Sequence, residues 1–169
     1  MYRIALLAAV FALALAWGSP VHAQSGAAVG GAENAADRTR QILEAYWQNH
    51  DPNYVAEDAV FTMMPTGEEI RGRDAIADHL HHFYREAFNA TAERTGAIFS
   101  ENSGLLEAVV VGKHTGEFAG IAATGRDIRV PLSVAYELEN DKITRARIYL
   151  MVNVLVQQIS TPWPEAASP

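Results

Sequence analysis

The chain has 169 residues, 49% of them hydrophobic, with 13 Lys and Arg against 20 Asp and Glu, a formal net charge of −7 and no cysteine. Without cysteine there is no disulfide, no thiol nucleophile and no Cys-ligated zinc or iron–sulfur centre. An acidic chain with no cluster of Lys and Arg lacks the cationic face that displaces counterions from nucleic acid, and it is not drawn to an anionic membrane surface.

Residues 1–23, MYRIALLAAVFALALAWGSPVHA, combine Arg3, an apolar run over residues 4–17, the breaker Gly18-Ser19-Pro20 and the small residues flanking His22. That is the pattern of a signal peptide cut after Ala23. The apolar run falls short of the roughly 20 residues a helix needs to cross a bilayer. The pattern predicts an exported protein, periplasmic or secreted, with no stable membrane insertion after cleavage. Residues 24–35, rich in Gly and Ala with little to bury, are expected as a flexible lead-in. Residues 36–159 are expected to form one domain and the proline-rich residues 160–169 a tail.

Asp37 is positioned to cap a helix whose apolar residues Ile42, Leu43, Ala45, Tyr46 and Trp47 recur at helical spacing, stopping near Asn49-His50-Asp51-Pro52. A helical turn is expected over residues 54–58 and a strand over residues 59–64, ended by Pro65-Thr66-Gly67. From Gly72-Arg73-Asp74 a second amphipathic helix carries Ile76, Leu80, Phe83 and Phe88 on or near one face. Four extended segments follow, over residues 91–101, 105–118, 127–139 and 142–158, with Asn140-Asp141 as a two-residue hairpin turn. Helices first and strands second predict an α+β domain, a curved antiparallel sheet wrapped over two to three N-terminal helices.

A two-residue turn pairs Glu139 with Lys142, and an uninterrupted register then pairs Val134 with Arg147 and Leu132 with Tyr149. On that register Ile143, Arg145, Arg147, Tyr149, Met151 and Asn153 share a face with Val130, Leu132, Val134, Tyr136 and Leu138. Thr144, Ala146, Ile148, Leu150 and Val152 face the other way, and Glu137 falls opposite Arg147. Both faces are largely apolar. One is expected to cover the helices and the other a second copy, giving a homodimer through the sheet.

No nucleophile elbow, phosphate loop, dinucleotide fingerprint or metal-binding helix motif occurs. His79, His81 and His82 have no carboxylate placed to complete a ligand set, so they read as a helix face, with His79 as a pocket-lining alternative, and no metal is expected. The segment KHTGEFAGIAATGRDIRVP at residues 113–131 carries more information. Together with Gly72-Arg73-Asp74-Ala75-Ile76, and with ITRARIY at residues 143–149 followed by Gln157-Gln158-Ile159, it resembles the SnoaL-like polyketide cyclase (ester cyclase) family of the NTF2-like superfamily. The resemblance spans nearly all of residues 36–159.

That resemblance implies a cone-shaped barrel around an apolar cavity, subunits paired through the sheet, and a polyketide- or ester-like ligand. It also implies a cofactor-free cyclisation in which a carboxylate takes a proton beside a carbonyl while a donor holds the enolate oxygen. The family's acid follows the tyrosine-containing end of the last strand. Here that stretch reads Tyr149-Leu150-Met151-Val152-Asn153, where Met151 cannot titrate and Asn153 can hydrogen-bond but not act as a base.

His114, with a near-neutral ordinary pKa, is the first candidate for the missing base, against a structural hydrogen-bonding role at a strand end. Arg147 is a candidate for carboxylate or enolate recognition, against an ion pair with Glu44 or Asp58, and Asn153 completes the candidate catalytic set. Tyr46, Trp47, Met63, Phe83, Tyr149 and Met151 are the candidate substrate-binding residues. Two functions stay open. One is an exported domain that binds a small, largely apolar molecule and catalyses its cofactor-free cyclisation or isomerisation. The other is a ligand-binding or structural module without turnover.

Overall fold

The computed structural model describes residues 25–160. The export signal expected over residues 1–23 and the tail beyond Ser160 lie outside the described residues. The first helix, α1 (Ser25–Asn49), begins well before Asp37 and runs through the expected lead-in, whose alanines are good helix formers. Its second half carries the contacts, with Thr39, Ile42, Leu43 and Tyr46 buried along one stripe. The Thr39 hydroxyl accepts the Asn102 N–H at 3.0 Å, fixing the helix to a distant turn. The helix stops at His50, in the left-handed region at φ 53, whose N–H reaches the Tyr46 carbonyl at 2.7 Å.

A 3-10 turn at Pro52–Tyr54, capped by the Asp51 carboxylate, leads into β1 (Val55–Met63), so most of residues 54–58 are strand rather than helix. Next come β2 (Glu68–Arg71) and α2 (Arg73–His81), which widens into a π-helical turn at His82–Ala87. The remaining elements are β3 (Phe88–Ser100), β4 (Ser103–His114), β5 (Asp127–Glu139), β6 (Lys142–Leu150) and α3 (Val152–Ser160). The strands form one curved, unclosed sheet in the order β2-β1-β6-β5-β4-β3. It is mixed rather than wholly antiparallel, because β1 runs parallel to β6. No hairpin joins those two strands, so no short turn forces them to oppose.

The expected turn is present: Asn140 and Asp141 both have positive φ, Glu139 pairs with Lys142 and Leu138 with Ile143. The register beyond it is not the uninterrupted one. Glu137 pairs with Arg145, which leaves Thr144 as an extra residue in β6, its hydroxyl donating to the Glu137 carbonyl at 3.3 Å. This β-bulge moves every later side chain of β6 to the opposite face. Ala146, Ile148 and Leu150 are buried beneath the helices, opposite Tyr136, Val134 and Leu132. Arg145, Arg147 and Tyr149 lie outside, and Arg147 pairs with Glu137, the residue expected on the other face. Glu44, an expected partner of Arg147, instead meets Arg94 at 3.1 Å.

Residues 152–158, expected as the end of the last strand, are helical. Leu155 and Ile159 are buried one turn apart, and that packing overrides the β-branched composition. Because β6 stops at Leu150, the first half of β5 loses its neighbour on that side. Gln158 takes the vacant place: its Oε1 accepts the Arg129 N–H at 2.8 Å and its Nε2 donates to the Arg129 carbonyl at 2.9 Å. Gln158→Ala is therefore expected to cost about 1 kcal/mol, read as a lower urea midpoint at unchanged slope.

Candidate functional site

The C-terminal end of α1, the helix α2 with its π turn, and the concave face of the sheet enclose a cavity of about 50 Å³, room for a few water molecules. Tyr46, Trp47 and His50 border it from the end of α1, and Phe61 and Met63 from β1. The π turn presents the consecutive residues Phe83 and Tyr84 to the same space, with His79 and Leu80 one turn earlier. The floor is Val110, Val134, Tyr136, Ile148 and their strand neighbours. Ile148 and Leu150 reach that floor only because Thr144 is bulged out of the ladder.

His50 organises the polar part. The left-handed turn lays its ring against Tyr84, stacked at 5.2 Å and 22°, with the edge of Tyr46 at 5.4 Å and Trp47 at 6.2 Å. Tyr46 in turn meets Tyr136 edge-on at 6.0 Å. Burial pushes the His50 pKa down to about 4, and the neighbouring Arg85 adds to the shift. Burial also lowers His79, against the pull of Glu68, and pushes Tyr84 up to about 12. Tyr46 and Tyr136 are raised above the ordinary tyrosine range, by burial first and by neighbouring phenols second. Among the described residues no Asp, Glu, Lys or Arg lines the cavity, so at neutral pH that wall is uncharged.

The Tyr46 hydroxyl is buried with no hydrogen-bond partner, and among the described residues none reaches the hydroxyls of Tyr84 or Tyr136. An unmet buried hydroxyl costs about 1–3 kcal/mol, so a hydrogen-bond acceptor brought to the Tyr46 hydroxyl would be favoured there.

A histidine buried as the neutral base stabilises the fold fully above its unfolded pKa, and that contribution is lost as pH falls. For His50 the loss runs from about pH 6.5 down to about 4 and amounts to at most about 3 kcal/mol. His50→Asn, which keeps a residue tolerant of positive φ, is expected to flatten the dependence of the urea midpoint on pH in that window.

Four of the residues expected from sequence, Tyr46, Trp47, Met63 and Phe83, meet on the cavity, as does His79. His114 does not line it. It is fully buried at the end of β4 against Phe88, its Nδ1 accepting the Thr124 N–H at 3.3 Å and lying 3.0 Å from the Thr124 hydroxyl. Its Nε2 has no partner among the described residues, and burial lowers its pKa. With His114 N–H to Arg126 O and Gly125 N–H to His114 O, both at 2.9 Å, it fastens the loop of residues 115–126.

Arg147 and Tyr149 lie on the outer sheet face; Tyr149 and Met151 are 45% and 50% exposed, and Asn153 is exposed on α3. His50, Tyr84 and Tyr136 were not among the expected site residues. The signal for His50 was its place immediately after a helix stop, where glycine is usual. Among the described residues no group of three His, Asp or Glu could hold a metal ion, and no helix is long and apolar enough to cross a membrane. His81 and His82 each turn Nδ1 toward Glu86, at 3.4 and 2.9 Å.

Residues 35–159 match the SnoaL-like polyketide cyclase family. No curated protein matches the chain. Among solved structures, a protein of Jannaschia sp. CCS1 proposed to be a SnoaL-like polyketide cyclase superposes with a TM-score of 0.70 at 11% identity, covering 76% of this chain and 96% of its own. A proposed polyketide cyclase of Xanthomonas campestris pv. campestris gives 0.68 at 19% identity, covering 75% and 99%. A Catenulispora acidiphila protein with a ketosteroid isomerase-like fold, solved in complex with trimethylamine, gives 0.58 at 20% identity, covering 73% and 97%. At these identities what is shared is the fold.

Proposed function

The chain belongs to the SnoaL-like polyketide cyclase family, and from that premise we propose that it binds a small, largely apolar molecule in the cavity between α1, α2 and the sheet. One observation carries the reading: an apolar, uncharged cavity whose wall includes a buried hydroxyl without a partner. Native mass spectrometry of protein purified from its own host is expected to show a co-purifying small molecule. Phe83→Trp, which fills the cavity, is expected to remove it. A bound mass that survives Phe83→Trp places the ligand elsewhere.

Turnover is a second reading, and His50 favours it. A neutral imidazole can accept a proton while adjacent phenols donate to a developing oxyanion, which is what a cofactor-free cyclisation or isomerisation of a polyketide- or ester-like substrate requires. Under this reading His50→Asn abolishes turnover and keeps the bound mass. Unchanged turnover in that variant removes His50 from the chemistry.

The proposal includes export directed by residues 1–23, for which N-terminal sequencing of the mature protein is expected to begin at Gln24. It also includes pairing of two copies through the outer sheet face. There Leu105, Val109, Val111 and Ala135 lie half-buried between the Arg129–Glu93 and Arg147–Glu137 pairs. Wild-type protein is expected to sediment as a dimer and Val109→Lys as a monomer.

A further inference from the structure

We infer that the cavity selects an uncharged ligand of about one small ring bearing a hydrogen-bond acceptor, a cyclic ketone for instance, over the matching hydrocarbon, acid or amine. The inference deepens the binding proposal above and rests on it.

The acceptor follows from the phenols. Tyr46, Tyr84 and Tyr136 are 1%, 8% and 4% exposed, and Tyr46 touches Tyr136 directly and Tyr84 through His50. Each phenol carries a proton it can donate, yet none of the three gives it to a protein group among the described residues. A hydrocarbon leaves those donors unmet. A carbonyl oxygen meets at least one, and the gain is large because the donor is already desolvated.

Neutrality follows from the wall. Among the described residues no Lys, Arg, Asp or Glu borders the cavity; His50 stays uncharged down to about pH 4, and burial lowers the pKa of His79 as well. A carboxylate or ammonium entering here would shed its water against a wall that offers no charged side chain among the described residues, a larger penalty than one neutral hydrogen bond returns. Size follows from the volume. About 50 Å³ is well under the several hundred of a drug-sized pocket. A fused polycyclic ligand would have to displace Trp47, Met63 and Phe83 from the rim, whereas one small ring asks only for slight movement of these half-buried side chains.

The test follows the Trp47 indole N–H of the 15N-labelled protein by NMR at pH 7, with cyclopentanone, cyclopentane, cyclopentanecarboxylate and cyclopentylammonium as probes. Cyclopentanone is expected to bind about tenfold more tightly than cyclopentane, and neither ion is expected to shift the signal. The triple variant Tyr46→Phe, Tyr84→Phe, Tyr136→Phe is expected to erase the ketone's advantage and leave cyclopentane binding unchanged, which separates a lost hydrogen bond from a lost pocket. Because the hydroxyls removed have no protein partner, the ligand-free variant should melt at or above the wild-type temperature.

Equal binding of ketone and hydrocarbon means the phenols hold only water. That overturns this inference and leaves the binding proposal standing, as does an ion that binds more tightly than the ketone. Failure of all four probes, in protein that carries a bound mass when purified from its host, overturns the size class. Failure of the probes with no co-purifying mass overturns the binding proposal itself.

Discussion

Ile148→Ala is expected to destabilise the protein by about 3 kcal/mol, and Arg147→Ala by less than about 1 kcal/mol. Ile148 packs under the helices and borders the cavity, so truncation removes buried methylenes and leaves a hole. Arg147 sits on the outer face in an ion pair with Glu137, with both side chains about two-fifths exposed, and water replaces much of what is lost. An uninterrupted β6 register inverts the order, placing Arg147 inside and Ile148 outside. Urea unfolding of the two variants decides between the registers with no structural measurement, because the predicted difference is a large part of a typical domain's 5–15 kcal/mol.

Gly112→Ala is expected to cost about 3 kcal/mol or more. A Cβ at Gly112 would lie 2.3 Å from the Asn89 carbonyl oxygen and 2.5 Å from the Ala90 Cα. Both are backbone atoms of the paired strand, so no rotamer change relieves the clash. β3 and β4 must separate where Phe88 faces His114. The damage should therefore spread to the loop that His114 holds, and faster amide hydrogen exchange at Thr124 and Gly125 than in wild type is the expected signature. Gly120 is the contrasting control: nothing lies within 4 Å of its added Cβ, and its cost comes from φ +77 alone, about 1 kcal/mol.

Much of this architecture was legible in the sequence, for local reasons. Asn140-Asp141 is a turn because both residues tolerate positive φ, and the stripe through Ile42 and Tyr46 is helical because its spacing is. The four expected residues that border the cavity, Tyr46, Trp47, Met63 and Phe83, sit on elements whose inward face is plain from periodicity.

The bulge at Thr144 was marked only indirectly. Threonine is an ordinary strand residue, and nothing beside it announces an extra one. The conflict between two phases was the signal. Ile143 is inside because the turn fixes it, while Arg145 and Arg147 in the same phase would put two guanidiniums into an apolar core, at a desolvation cost that the outer face avoids. A strand whose first apolar residue and whose later ones, Ala146, Ile148 and Leu150, belong to opposite phases has to contain one unpaired residue. Residues 152–158 depart from the expected strand for a different reason. Their valines favour strands locally, and only the burial of Leu155 and Ile159 together, a tertiary fact, makes them a helix. The place of His50 at the cavity depends on a backbone angle, φ 53, which residue type alone does not reveal.

The bulge makes β6 behave like a message read in two frames. Up to Ile143 the strand is in the frame set by the turn, and after Thr144 it is in the other, so the cavity floor depends on the parity of the residue count between them. Loss of one residue there cannot be repaired by any substitution downstream, but gain of one residue anywhere between Lys142 and Ala146 would restore the phase. Among descendants of this chain, length changes in that short stretch should therefore occur in compensating pairs or not at all, however freely its outer side chains vary.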